Sequence, residues 1–297
     1  MAKPSFTPDT PIAEFLPLST HVSPTVLKTT GGDFLLVWRL GGLPFVGREE
    51  WEIEHRHNGF NRLLQTLRAP DFVNVAFWVH DIRRRRRLKD HSRFNQSFNQ
   101  QMSDAYYEAL STQKLMQNEL YLTMLYRPIV SGKRFAEKSS DIGRLESQQL
   151  DAVNTMLELA GNVEAVLKDY APYRLGMYEA SNGVVFSEAL ELYGYLLNRI
   201  DEPVPVLDAP VYNYLAVSKQ RFSAKTGDFV ITTPEGRNHF GAVLNIKEYT
   251  DSTYPGILNG LKYLDFEYVI THSFSPMGRQ DALKALDRTK GMMVSSG

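Results

Sequence analysis

Five consecutive arginines, Arg83 to Arg87, follow an apolar run in the stretch VAFWVHDIRRRRRLKD, residues 75–90. Asp81 to Asp90 holds six basic and two acidic residues, a net +4 over ten positions. Guanidinium groups at this density suit phosphate, an anionic lipid surface or an acidic protein surface. The candidate interaction patch is Arg83, Arg84, Arg85, Arg86, Arg87 and Lys89. If the block continues a strand, its side chains alternate between faces, so two or three at most meet one partner. If it opens a helix, they fan around the axis. Adjacent like charges repel and cost stability when unpaired. Three accounts stand: a solvated strand exit whose charge blunts sheet pairing, docking onto an acidic protein or another subunit, and binding of anionic lipid or nucleic acid.

Aromatic residues beside the block do not favour nucleic acid. Phe77, Trp78 and Phe94 could stack on bases. Yet Phe77 and Val79 alternate against Trp78 and His80, the pattern of a strand covered on both faces. The formal charge of the whole chain is −1, so the basic block is local and no broad positive surface is encoded.

Other chemistry is sparse. A phosphate loop needs a glycine-framed turn ending in Lys-Ser/Thr after a strand, so that backbone N–H groups and the lysine meet phosphate oxygens. The nearest fragment, Ser131-Gly132-Lys133, lacks the first glycine and the closing hydroxyl. Gly31-Gly32 precedes a strand instead of following one. His55 and His57, two residues apart, fall on different sides of a predicted helix, whereas a helical zinc pair needs a spacing of four. His80 and His272 each stand at a predicted strand end, as polar caps of a sheet. Glu49-Glu50 sits in a first helical turn, where negative charge meets the helix dipole. No Gly-x-Ser-x-Gly occurs, and there is no cysteine for thiol chemistry or disulfides. Neither a catalytic, a cofactor-binding nor a metal residue is assigned.

The elements that must hold these residues alternate between strand and helix. The 297-residue chain is 43% hydrophobic, enough to bury a sizeable core. Residues 1–30 read as an extended, proline-bearing arm, and Gly31-Gly32-Asp33 as a turn. FLLVWRL, residues 34–40, reads as a central strand. Residues 48–69 follow as a helix, with acids at its start and bases toward its end. NVAFWVH, residues 74–80, is a second strand. Residues 95–116 carry Phe98, Met102, Tyr106, Leu110 and Met116 at helical spacing. LYLTMLYRP is a third strand. A long helix spans 142–169 with Leu150, Val153, Leu157 and Leu167 on its apolar face. Residues 173–178 form a short strand and 184–198 a helix. The prolines of DEPVPVLDAP exclude a helix interior there. FVITT, HFGAVLNI and FEYVITHSF read as strands, with a helix at 255–264 before the last, and another helix begins at 279.

This order predicts an α+β fold: layered mixed or antiparallel sheets with helices on one face, in ferredoxin-like modules. The expected division is the arm 1–30, a first α+β module 31–200, a strand-rich second part 201–278, and the start of a linker helix at 279–297. No window reaches eighteen apolar residues, so no membrane span is encoded, and the N-terminus lacks the apolar run of a signal peptide.

Taken together in order and spacing, HVSPTVLKTTGGDFLLVWRLGGLPFVG, EHRHNGFNRLLQTL, VNVAFWVHDIRRR and NELYLTMLYRP resemble the N-terminal region of the CagE/TrbE/VirB family. GVVFSEALELYGYLLN and DFEYVITHSFSP are similar to later parts of that region. The family's members are ATPases of type IV secretion and conjugation machines. The resemblance implies a peripheral protein at the cytoplasmic face of the bacterial inner membrane, energising pilus assembly and transfer of DNA or protein. It implies a hexamer, in some machines a trimer of dimers, whose N-terminal region contacts inner-membrane subunits. The phosphate loop of the motor domain would lie farther toward the C-terminus, so no family catalytic residue carries over. ATP and Mg²⁺ then belong to that missing part and no cofactor to this one. The expectation is an assembly and docking domain, not an enzyme. The rivals are a basic-patch module for nucleic acid or anionic lipid, and an independent enzyme with a cleft between its modules.

Overall fold

The computed structural model describes residues 10–42, 47–67, 72, 74–86, 93–111, 113, 115–130, 133–134, 142–223, 225–245, 252, 254, 256–276, 283–284 and 287. Its main sheet has seven strands in the order β1 (Leu18–Ser23), β2 (Val26–Thr29), β3 (Phe34–Leu40), β5 (Met116–Tyr126), β4 (Val75–Arg85) and β14 (Tyr268–Phe274), with β8 (Pro172–Arg174) paired to the far end of β3. Every pairing in it is antiparallel. Since β5 runs against both neighbours, β3 and β4 run parallel to each other with β5 between them. Helix α1 (Glu50–Thr66) makes that crossover, and α2 (Ser97–Ser111) links β4 to β5.

Three smaller antiparallel sheets accompany it: β6 (Ile129–Val130) with β7 (Lys133–Arg134), β9 (Met177–Glu179) with β10 (Val185–Ser187), and β11 (Lys219–Phe222) with β12 (Asp228–Thr232) and β13 (Asn238–Ala242). The remaining helices are α3 (Ile142–Val166), α4 (Glu188–Asn198) and the short α5 (Val211–Tyr214).

Strand period two sorts the sheet's side chains into two cores. Phe34, Leu36, Trp38, Phe77 and Met124 join Met156, Ala160 and Val163 of α3 on one face, together with Leu67 just past α1. Leu35, Val37, Ala76, Ile82 and Leu125 join Leu190, Tyr195, Val211 and Leu215 on the other. The alternation of Phe77 against Trp78 is that of a doubly covered strand, since Phe77 belongs to the first core and Trp78 borders the second.

Several boundaries differ from the sequence reading, each for a physical reason. Residues 18–29 do not run as an extended arm; they make the β1–β2 hairpin, because Val26 and Leu27 find core partners on opposite sheet faces. Residues 1–9 lie outside the described residues. α1 ends at Thr66, before Arg68, so its last turn carries no base. β4 runs five residues past His80, because β5 begins at Met116 and offers a partner throughout. The long helix buries Ala152, Val153, Met156 and Ala160, while Leu150 is exposed. Val153 and Leu167 of the expected face are buried and Leu157 packs against the core, so Leu150 alone of that row misses the contact. The strand over 173–178 divides into β8 and β9 around Gly176, and β10 precedes α4. The helix placed at 255–264 is a 3₁₀ turn, Asn259–Tyr263. β14 joins β4 in the main sheet, so the expected boundary near residue 200 does not coincide with a sheet boundary. The helix expected from 279 falls largely outside the described residues.

Candidate interaction site at the arginine run

The arginines continue strand β4, and the strand period separates them. Arg83 pairs in register with Asn118 of β5 and Tyr268 of β14. It is only 8% exposed. Its Nη1 donates to Asn118 Oδ1 and its Nε to the Leu264 carbonyl, both at 3.0 Å. Burying a guanidinium is costly unless its donors find partners, and Nε and one Nη of Arg83 do.

Arg84 points to the other face, under the end of α4. Its Nη2 meets Glu119 Oε2 at 2.9 Å and its Nη1 meets Asp201 Oδ1 at 3.0 Å. Glu119 stands diagonally across the β4–β5 pair, two residues from the position directly opposite Arg84. The guanidinium also lies 4.7 Å from the Tyr195 ring centroid, and Arg199 lies 4.6 Å from it. Burial works against the charge of Arg84, but the hydrogen bond and charge of Glu119, with Asp201, outweigh it and hold its pKa above the usual arginine value. Burial, then the Glu119 charge, pushes the neighbouring Tyr121 hydroxyl up; Tyr195 is pushed up by burial to about 12, against the pull of Arg199. Both phenols stay neutral at physiological pH.

Arg85 and Arg86 are exposed. The Arg85 backbone N–H donates to Glu267 Oε1 at 2.8 Å, and Glu267 Oε2 accepts from Arg199 at 2.7 Å. Arg86 makes a looser pair with Asp201 at 3.6 Å. Arg87 and Lys89 lie outside the described residues.

Repulsion within the run is therefore answered by Glu119 from β5, Asp201 from the segment after α4 and Glu267 from the segment before β14. These acids are up to 182 residues away in sequence from the arginines they serve, as for Arg85 and Glu267. No local pattern marks them as partners of the run, although Glu119 stands in the first half of β5. The chemistry available here is cross-linking of elements and presentation of Arg85 and Arg86 to a partner.

The other sequence candidates are dispersed. His80 lies inside β4, not at a strand end; its Nδ1 is 3.0 Å from Thr271 Oγ1 on β14, and burial lowers its pKa. His272 is exposed on β14. His55 is exposed on α1, and the side chain of His57 lies outside the described residues. Ser131 and Gly132 are also outside them. Among the described residues there is no cluster of three metal-ligating side chains. At Arg84 an ATP phosphate would have to displace the carboxylates that both arms of its guanidinium already hold.

Comparison with known proteins supplies the class. Residues 25–133 match the family described as "Type IV secretion system ATPase VirB4/TrbE, N-terminal domain". Residues 173–297 match the "CagE, TrbE, VirB family, component of type IV transporter system". The chain matches the CagE/TrbE/VirB4 family of type IV secretion ATPases, in its N-terminal region. Among individual relatives it is 35% identical over 291 residues to the type IV secretion system protein virB4 of Brucella suis biovar 1, covering 94% of this chain and 34% of that protein. It is 34% identical over 292 residues to PtlC of Bordetella pertussis, covering 96% and 34%. To protein virB4 of Rhizobium radiobacter it is 30% identical over 295 residues, covering 95% and 35%. The chain spans about a third of the length of these relatives.

Proposed function

We propose that this chain is the docking and assembly region of a type IV secretion ATPase. In this reading it binds inner-membrane subunits of the apparatus and neighbouring copies of itself, in a hexamer or trimer of dimers. ATP and Mg²⁺ are handled by a motor region farther along the protein. The whole protein works peripherally at the cytoplasmic face of the bacterial inner membrane, energising pilus assembly and the transfer of DNA or protein. The observation that carries this is the match of residues 25–133 to the N-terminal domain of the VirB4/TrbE ATPase. A peripheral placement agrees with the lack, among the described residues, of a helix long and apolar enough to cross a membrane. We read the β3–α1–β4 crossover with β5 between as a split unit of the ferredoxin-like kind and as the module that carries the docking surface.

The interaction patch Arg83–Arg87 with Lys89 narrows in this reading. Arg83 and Arg84 are occupied inside the fold, so Arg85 and Arg86, with Arg87 and Lys89 beyond them, would face an acidic partner surface. Anionic lipid is the second reading, favoured by the exposure of Arg85 and Arg86. Calorimetric titration of the purified chain with Mg-ATP tests the division of labour: no saturable binding is expected. Stoichiometric binding abolished by changing one of its own polar residues would overturn it. Flotation with anionic vesicles tests the second reading. Equal recovery of the chain and its Arg85→Ala/Arg86→Ala variant would remove lipid from consideration.

A further inference from the structure

Asp201 is shared by two arginines of the run. Its Oδ1 meets Nη1 of Arg84 at 3.0 Å and its Oδ2 meets Nη1 of Arg86 at 3.6 Å. Residues two apart on a strand share a face. The Arg86 N–H, which donates to the Leu115 carbonyl at 2.9 Å, carries the β4–β5 ladder on to that position. The two ion pairs differ in kind. The Arg84 side chain is 12% exposed and is also held by Glu119, whereas Arg86 and Asp201 are 49% and 52% exposed. A long, solvated pair of the second sort is worth little. The chain on either side of Asp201 is tied down: Arg199, left-handed at φ 59°, ends α4 just before it, and the Ser187 N–H donates to the Val204 carbonyl just after it.

We propose that Asp201 is a built-in competitor for the docking patch, occupying Arg86 with the same group that an acidic segment of a partner protein supplies when it binds. The partner's carboxylate displaces Asp201 from Arg86 alone. Arg84 keeps Glu119 and Asp201 Oδ1, so the fold is not opened. Geometry and charge choose this occupant. The group already seated on Arg86 is a carboxylate. Glu119, Asp201 and Glu267 stand among the arginines of the run and Arg199. A short acidic segment can set its carboxylates between those acids, whereas the continuous charge of a bilayer or a duplex meets them as well. An intramolecular carboxylate acts at a high effective concentration, so a lone free acid does not replace it and the segment must carry several. In an extended segment, acids at every second residue lie on one side, at the spacing of arginines two apart on a strand. The inference rests on the acidic-partner reading above and adds its regulation: the patch stays masked until a partner with enough acids arrives.

A fluorescein-labelled peptide of four Glu-Ser repeats, titrated with the purified chain and read by fluorescence anisotropy, tests it. Salt at about 0.1 M limits the reach of unpaired charges to about 10 Å. Asp201→Asn is expected to tighten binding about two- to fivefold. Arg86→Ala should weaken it, and should cancel the gain when combined with Asp201→Asn. Glu202→Gln removes the same charge one residue away and should tighten binding much less. Circular dichroism should show Asp201→Asn folded, because Arg84 keeps Glu119; Asp201→Ser repeats the test with a short neutral side chain. Equal tightening by Glu202→Gln would reduce the effect to general charge and overturn the proposal. Weakening by Arg86→Ala without tightening by Asp201→Asn would overturn the masking while leaving the acidic-partner reading standing. No binding of the peptide by any form would overturn both. Tightening on phosphatidylglycerol vesicles and not with the peptide would give the patch to lipid and overturn the proposal.

Discussion

Between Arg84 and Arg85 the strand turns over, and with it the use of an arginine. The Arg84 side chain is 12% exposed and its partner Glu119 8%. Removing it leaves the buried Glu119 carboxylate without its cation, with the Tyr121 hydroxyl still donating to it at 3.2 Å. Arg84→Ala is expected to cost about 3 kcal/mol or more, whereas Arg85→Ala, whose backbone N–H keeps its bond to Glu267, should change stability by less than about 0.5 kcal/mol. Urea unfolding of the two variants measures the contrast, and equal losses would show that Arg84 is not cross-linking the fold. Histidine gives a pH test. Burial lowers the pKa of both His80 and His21, the latter bound to Ser187 Oγ at 2.9 Å. A group whose folded pKa lies below its unfolded value of about 6.5 contributes stability above that pH and loses it as pH falls. Thermal melting should therefore drop from pH 7.5 toward 5.5, with a shallower slope in His80→Gln. A raised Asp81 pKa works in the opposite sense at lower pH. The local excess of charge at the run was plain in the sequence. Its neutralisation was not, because Glu119, Asp201 and Glu267 come together only through strand register and the end of α4.

Elements were legible where one periodicity dominated. β3 buries its first five residues on alternating faces, as its continuous apolar stretch predicts. α3 was legible from its period: Val153, Leu157 and Leu167 of its expected apolar face meet the core and Leu150 alone is exposed, while Met156 and Ala160 add contacts that the leucines did not mark. α4 shows what periodicity misses. Its cap Ser187 accepts from the Leu190 N–H at 3.2 Å. Its last residue, Asn198, accepts from the Val217 and Ser218 N–H groups and donates to the Leu215 carbonyl. Asn198 is 4% exposed, so water cannot replace it. Asn198→Ala strands several buried backbone groups at ~1–3 kcal/mol each and should destabilise more than Ser187→Ala, for which a cap loss of about 1 kcal/mol is expected. Chemical denaturation of both variants checks the order; a reversed order would remove Asn198 as the tie between α4 and the loop entering β11. Polar residues like these carry no periodic signal.

At the scale of the whole molecule, β14 closes the sheet against β4 from nearly two hundred residues away, with Thr271 facing His80 and Tyr268 facing Arg83. The arginine run thereby joins three distant parts of the chain: β5, the end of α4 and the approach to β14. Such long-range pairing could not be read from local pattern, although the strand that makes it could. The consequence for function is a platform whose basic side chains are divided between internal ties and an outward-facing remainder. In the proposed role that platform seats the ATPase on its membrane apparatus without using nucleotide. Binding of the purified chain to inner-membrane vesicles, with nucleotide absent, measures this most directly. Saturable retention is predicted on vesicles that contain the secretion apparatus and not on vesicles that lack it. Equal retention on both, or retention that appears only when Mg-ATP is added, would contradict the account.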